Sequence, residues 1–180
     1  MAIPRVTEVL SPFADFSRVP PDVLQAASDR GTAVHEACAA HALGLWMPIA
    51  KEHLGYFDSF KSWFDRYVDD VLAVEEEVRH ARWGYFGHVD LIARVNGVNH
   101  GSVIAVVDYK TPFSESRSWH CQTQAYVEAA RETYGAVIGG ALRLRKDGSL
   151  PIMTWVDNPT QAFNAFCGIL NGWNFIKGGK

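Results

Sequence analysis

Hydrophobic residues recur every three to four positions in the first part of the chain, which predicts helices there. In residues 20–44 they follow Pro20 and Pro21, which suit a helix start, and Gly31 predicts a break between two helices. Residues 53–76 carry a second apolar stripe at helical spacing and predict a helix that covers the core.

The middle of the chain changes to short runs rich in β-branched residues, which are typical of strands. Turn signals at Trp83-Gly84 and around residues 96–101 separate three runs and predict an antiparallel meander. A helix, two strands around a Lys146-Asp147-Gly148 turn and a last helix follow. The predicted segments are residues 73–82, 87–95 and 102–111 for the meander, 116–135 for the helix, 135–157 for the two strands and 159–176 for the last helix. This order predicts an α/β fold with a central mixed β-sheet flanked by helices.

Length and composition favour one domain. The chain has 180 residues, 48% of them hydrophobic, which is enough for one full-sized core. We expect a single domain over residues 1–180, with a helical part at about 1–72 and a core at about 73–177. No apolar stretch reaches the roughly 18 to 20 residues of a membrane span, and the N-terminus lacks a signal-type segment, so we expect no membrane partner and a cytoplasmic location.

Charge and cysteine content exclude some classes of protein. A net charge of -3 argues against nonspecific coating of nucleic acid, which needs a large excess of Lys and Arg, but leaves a nuclease open. Cys38, Cys121 and Cys167 are too few for a four-cysteine zinc or iron-sulfur site, so free thiols are expected and no iron-sulfur cluster. No GxxxxGK[ST] motif is present, so no nucleotide cofactor is expected and any helicase partner is a separate protein.

Acidic residues stand in segments otherwise patterned for burial. Asp108 and Lys110 are two apart on one predicted strand and share a face. Asp90 lies near the start of the preceding strand, and an antiparallel hairpin brings it to the end of the strand that carries Asp108. Glu77, one strand earlier, supplies a third oxygen ligand if its register fits. Carboxylate oxygens are the ligands that Mg²⁺ and Mn²⁺ prefer, and a nearby amine suits hydrolysis of a phosphodiester.

Five short motifs, in order along most of the chain, carry a resemblance to a known family. They are GTAVH with His35, EEEV with Glu77, GHVD with Asp90, DYK with Asp108 and Lys110, and QTQAY with Gln122 and Tyr126. The pattern resembles the PD-(D/E)XK nucleases, in particular the RecB-like single-domain exonucleases of phages and mitochondria. Each motif alone is a weak signal, whereas five in this order and spacing form a strong one.

The resemblance implies a restriction-endonuclease-like core and a metal-dependent DNA exonuclease of phage or prophage recombination, replication or repair. It implies that Asp90, Asp108, Glu77, His35 and the carbonyl of Tyr109 hold one or two Mg²⁺ or Mn²⁺ ions. Lys110 would position the attacking water, and Gln122 and Tyr126 would orient Lys110 or contact the strand. The expected partner is DNA, at ends or single-stranded segments, together with a possible recombination or single-strand-binding protein, in a bacterial host cell if the gene belongs to a phage.

Several alternatives stay open from the sequence. A second hypothesis within the same chemistry is an endonuclease, nickase or junction resolvase, and a catalytically inactive DNA-binding module is the competing class. Glu75 and Glu76 are fallbacks for Glu77, because three adjacent acids also suit a solvated surface. His35 can be a structural histidine, and the four-residue spacing of Gln122 and Tyr126 also suits a helix packed on a sheet. Three aromatic residues before or next to GHVD can stack on bases: Trp83, Tyr85 and Phe86. Six arginines can follow the phosphate backbone: Arg30, Arg79, Arg82, Arg117, Arg143 and Arg145.

Overall fold

The computed structural model describes residues 3–13, 17, 19–98, 101–112 and 114–177 of the chain. The helices are α1 (Val6–Leu10), α2 (Pro21–Ala42), α3 (Leu54–Tyr67), α4 (Ser118–Tyr134) and α5 (Pro159–Lys177), with short 3-10 turns at Ser11–Phe13 and Lys51–His53. The strands are β1 (Val68–His80), β2 (Tyr85–Val98), β3 (Gly101–Lys110), β4 (Ile138–Arg143) and β5 (Ile152–Trp155). Within this part of the chain no helix has the length and apolar character that crossing a membrane requires.

The five strands form one sheet in the order β1-β2-β3-β4-β5. β3 and β4 are parallel and are joined through α4, whereas the other neighbouring strands are antiparallel. The predicted meander and the predicted α/β fold with a mixed sheet flanked by helices are therefore confirmed.

Helices cover both faces of the sheet and make two cores. The first, which we call the α4-side core, combines α1, α4 and α5 with one face, and includes Val127 and Phe166. The second, the α2-side core, combines α2 and α3 with the other face, and includes Phe60 and Trp63. A mixed sheet needs apolar cover on each face of its central strands, and β2 and β3 are accordingly buried along most of their length.

The predicted break at Gly31 is wrong, because α2 runs without interruption through that position. A glycine inside a helix costs only about 1 kcal/mol relative to alanine. Val34 and Cys38, on the following turns, are fully buried in the α2-side core, and their burial offsets this cost.

The helix predicted over residues 53–76 ends at Tyr67, so the helical part stops before the expected boundary at about residue 72. Val68, Val71 and Val74 are three apart, a spacing that suits a helix, yet all three lie on β1 and pack on the α2-side core. Two register shifts, one between Val68 and Asp70 and one between Val71 and Ala73, explain this. Each β-bulge adds one residue, so positions three apart return to the same face.

The cysteines are free, as predicted, and lie in different parts of the fold. Cys38 is buried in the α2-side core, Cys167 is buried in the α4-side core, and Cys121 is half-buried. Burial raises the pKa of all three thiols. They therefore stay protonated at neutral pH.

Candidate active site

β1 changes face at Glu75. Alternation along a strand would place Val74 and Val78 on one face, but Val74 packs on the α2-side core and Val78 lies in the α4-side core. Between them Glu75 has a φ of 50°, in the left-handed region. Among the described residues it is the only one other than glycine with a positive φ. Such a backbone costs roughly 1–2 kcal/mol and turns the strand over locally.

β2 changes face at Asp90, directly across the ladder. Val89 lies in the α4-side core and Leu91 in the α2-side core, although alternation would put them together. The ladder pairs Val74 with Leu91 and Glu76 with Val89, so Glu75 and Asp90 face each other between these pairs. Two carboxylates are thereby set side by side where both strands turn over.

His35 completes a group of three potential metal ligands with these acids. One ligand atom each from His35, Glu75 and Asp90 lies within 4.8 Å of the others. Asp90 Oδ1 is 3.2 Å from His35 Nδ1, and Asp90 Oδ2 accepts a hydrogen bond from the Tyr109 backbone N–H at 2.5 Å. The edge of the His35 ring packs on Tyr109, with ring centroids 5.5 Å apart. Asp90 and His35 are thus fixed by partners on β3 and α2.

The second half of the site lies on β3 and α4. Lys110 Nζ is 2.5 Å from Asp108 Oδ2 and donates to Gln122 Oε1 at 3.1 Å. The Gln122 amide nitrogen donates to Asp108 Oδ1 at 3.1 Å and to Tyr126 Oη at 3.2 Å. Gln122 therefore binds both members of the Asp-x-Lys pair, which share one face as the spacing predicts. The ring of Trp119, one turn before Gln122, lies 5.8 Å from Lys110 Nζ.

The glycine of GHVD makes room for the tyrosine of QTQAY. A Cβ atom on Gly87 would lie 2.2 Å from Tyr126 Cε1, closer than any side chain tolerates. Tyr126 is buried, with 2% of its surface exposed, and its hydroxyl supports Gln122. Two motifs that are far apart in sequence are therefore one packing unit.

The Tyr109 carbonyl points to the side of β3 on which β2 lies. The carbonyl of Lys110 accepts a hydrogen bond from Leu144 N–H beyond β4, whereas the Tyr109 N–H donates to Asp90 on the β2 side. Successive peptide groups of a strand point to opposite neighbours. The Tyr109 carbonyl is consequently directed to the β2 side, and its role as a metal ligand stays a prediction.

Burial and like charge raise the pKa of two carboxyl groups of the site, those of Asp108 and Glu75. Burial raises the pKa of Asp108, and Asp90 raises it further against the opposing effect of Lys110. Burial and the Asp90 charge also raise the pKa of Glu75. Burial would lower the pKa of His35, but the charge and hydrogen bond of Asp90 outweigh it, so that pKa is raised. Added positive charge would favour the ionised acids.

The donor set fits a divalent metal ion. Glu75 and Asp90 offer carboxylate oxygens, which suit Mg²⁺ and Mn²⁺, and His35 offers an imidazole nitrogen, which suits transition metals. Asp108 is outside this group of three, and its oxygens face Lys110 and Gln122 instead. Its charge nevertheless contributes to the raised pKa of His35 and Glu75, so it acts on the same region.

The structure does not bring Glu77 into the group. Its carboxylate pairs with Arg79 at 2.5 Å and lies 3.7 Å from the ring of His88, on an exposed part of β1. Glu75, a fallback in the sequence analysis, occupies the place expected of Glu77. A two-residue turn at Trp83-Gly84 would set Glu77 opposite Asp90, but the hairpin pairs His80 with Tyr85 around a longer loop, so Glu77 lies opposite His88 and Glu75 opposite Asp90.

The aromatic residues before GHVD divide between core and surface. Tyr85 is buried and donates its hydroxyl proton to the Ala125 carbonyl at 2.9 Å, so it belongs to the core. Phe86 is half-buried and has Arg5 and Arg79 against its ring, at 5.5 and 5.3 Å.

The sequence analysis did not single out Trp119, although its position three residues before Gln122 puts both on one helix face.

Comparison with protein-family models finds no match for this chain, and comparison with curated proteins finds none either. The residues and distances above are therefore the basis of the functional proposal.

Proposed function

We propose that the protein is a metal-dependent deoxyribonuclease that hydrolyses phosphodiester bonds, and that it is an exonuclease of the RecB-like PD-(D/E)XK type. The observation that supports this most directly is that a group of potential metal ligands lies next to an acid-lysine pair. Glu75, Asp90 and His35 form one, and Asp108 with Lys110 forms the other. The Tyr109 N–H bond to Asp90 joins them through the backbone of β3. DNA ends or single-stranded segments in the cytoplasm are the expected substrate, in a phage or prophage setting.

His35, Glu75 and Asp90 would hold the Mg²⁺ or Mn²⁺ ion, with the Tyr109 carbonyl and Asp108 beside them. The ion, when bound, supplies positive charge that stabilises the phosphate as negative charge develops during hydrolysis. His35 has to give up its proton to act as a ligand, because only the neutral ring has a free lone pair. Metal affinity is therefore coupled to pH.

Lys110 is held as the cationic group of the reaction centre. Its ammonium is mostly buried, with 15% of the side chain exposed, and is fixed by Asp108 and Gln122. A fixed ammonium in a partly desolvated site can orient the attacking water and stabilise charge at the phosphate without reorganising. Gln122 contributes by holding Asp108 and Lys110 in one geometry, and Tyr126 by holding Gln122.

An activity assay with purified protein tests the proposal. Linear DNA labelled at either end and covalently closed circles are incubated with Mg²⁺ or Mn²⁺ and with EDTA. We expect metal-dependent loss of linear DNA, and activity reduced by about 10³-fold or more in Asp108→Asn and Lys110→Ala. Asp70→Asn is a matched control, because Asp70 is an exposed acid on β1 of the same sheet.

The outcome also separates the alternatives. Cutting of closed circles would identify an endonuclease or nickase of the same fold. DNA binding without cleavage under any metal would identify an inactive binding module. Full activity in Asp108→Asn and Lys110→Ala would remove the assignment of this site.

A further inference from the structure

A cleft with an excess of positive charge begins where the candidate active site ends. It has a volume of about 440 Å³ and lies beyond the ends of β3 and β4. Its lining consists of Tyr56, Thr111, Pro112, Arg143, Leu144, Arg145, Lys146 and Asp147. Three cations against one acid reverse locally the net charge of -3 that the whole chain carries.

The cleft is lined by residues that are backbone neighbours of Lys110. Thr111 follows Lys110 directly, and Arg143 is the register partner of Lys110 on the neighbouring strand β4. The Lys110 carbonyl also accepts the N–H of Leu144 at 2.8 Å. Neighbouring strands lie only about 4.8 Å apart, so a chain of phosphates that leaves Lys110 on this side meets the cations next.

The basic segment is held rigidly, and through its backbone. The N–H of Arg145 donates to the hydroxyl of Ser59 on α3 at 3.0 Å, and Ser59 is fully buried. Gly55 on α3 lies so close to the Lys146 carbonyl that a Cβ atom would approach it to 1.8 Å. The backbone of Arg145 and Lys146 is thus fixed without use of their side chains, which line the cleft; the Arg145 guanidinium lies 3.8 Å from the Asp147 carboxylate, the one acid of that lining.

A further cation approaches the same wall of the cleft. Arg30 on α2 lies over the ring of Tyr56, with the guanidinium carbon 5.7 Å from the ring centroid. Its Nε is buried and has no hydrogen-bond partner among the described residues. Arg30 itself does not line the cleft, but its guanidinium adds positive charge behind Tyr56, which does.

We propose that this cleft binds the phosphates of the DNA strand next to the bond that is cleaved, with Arg145 and Lys146 as the principal contacts. The choice of DNA as the ligand rests on the proposed function. Arginine and lysine are the usual partners of phosphate oxygens, and such contacts fix the register of a strand without reading its bases. The cleft thereby determines on which side of the active site the bound strand continues.

Binding in EDTA tests the proposal independently of cleavage. Fluorescence anisotropy of labelled single-stranded and duplex oligonucleotides is measured over a range of salt concentrations. The Arg145→Ala/Lys146→Ala double variant is compared with Arg94→Ala/Arg131→Ala, which removes the same charge from exposed positions on β2 and α4. We expect the cleft variant to bind about 10-fold more weakly, with a salt slope reduced by about 1.4 for single strands and about 1.8 for duplex, while the control keeps the wild-type slope.

A single variant guards against a folding defect in the double one. Lys146→Gln alters one exposed side chain and should lower the salt slope by about 0.7 to 0.9. Equal affinity and slope in cleft and control variants would overturn the proposal, as would the absence of DNA binding by the wild type. Cleft-dependent binding without any cleavage would leave the cleft assigned and refute the nuclease, whereas cleavage with cleft-independent binding would do the reverse.

Discussion

Replacing Glu75 should stabilise the metal-free protein while it impairs metal-dependent activity. The ligand atoms of Glu75 and Asp90 lie within 4.8 Å. Two unit charges at that distance repel by about 3.5 kcal/mol at an effective dielectric of 20 and by about 0.9 kcal/mol in a water-like medium. Because Glu75 is exposed, the lower figure applies, and Glu75→Gln removes about 1 kcal/mol of repulsion. We expect a melting temperature in EDTA about 2–4 °C above wild type.

Activity should change in the opposite direction. Loss of one carboxylate from the metal-binding group should lower metal-dependent DNA hydrolysis by about 10-fold or more. It should also shrink the rise in melting temperature that saturating Mn²⁺ produces, because the cation stabilises the folded state by binding to it. Differential scanning fluorimetry with and without Mn²⁺ and the end-labelled DNA assay measure the two effects on the same preparations.

Glu77→Gln is the matched control, since it makes the same chemical change two residues away. Glu77 pairs with Arg79 and His88 at the surface, and such pairs contribute under about 1 kcal/mol. We expect a slightly lower melting temperature in EDTA, an unchanged response to Mn²⁺ and activity within about 3-fold of wild type. Loss of activity in Glu77→Gln, with wild-type behaviour of Glu75→Gln, would refute the placement of Glu75 beside the metal.

Three further predictions concern packing, protons and the amide bridge. Gly87→Ala should destabilise the protein by about 1–3 kcal/mol in urea titrations, because the new methyl group meets the Tyr126 ring. Gly168→Ala, whose Cβ meets nothing within 4 Å inside α5, should stabilise the protein by about 0.5–1 kcal/mol. Similar losses of stability in both variants would contradict the packing account. Mn²⁺ should raise the melting temperature more at pH 8 than at pH 6. The raised pKa of His35 keeps its ring protonated at the lower pH, and the metal must displace that proton to bind. An equal rise in melting temperature at both pH values would exclude His35 as a ligand. Gln122→Ala should lower the turnover number by about 10-fold, because Gln122 holds Asp108 and Lys110. It should leave the Mn²⁺-induced rise in melting temperature unchanged, because the amide lies outside the metal-binding group of His35, Glu75 and Asp90. Loss of that rise would place the Gln122 amide at the metal instead.

Local patterns along the chain were sufficient for much of the fold. The β-branched runs and turn residues predicted β2, β3 and the hairpin between them, because strand periodicity and turn chemistry act over a few residues. The prediction failed where residues with strand propensity also had helical spacing. Valines three apart suggested a helix through residue 76, and only pairing with β2, with its two register shifts, shows that Val68 and Val71 belong to a bulged strand.

The local sequence was sufficient to put Asp108 and Lys110 on one face, since side chains two apart on a regular strand point the same way. It also placed Gln122 and Tyr126 one helical turn apart, ready to act together. Long-range strand pairing selects Glu75 as the glutamate that joins Asp90. A strand normally keeps its alternation, and Glu75 departs from it through a left-handed backbone that is held by pairing with β2 and by the two cores on either side. Such a conformation is unfavourable for the residue alone, so no local pattern announces it, and it persists because the surrounding contacts fix it.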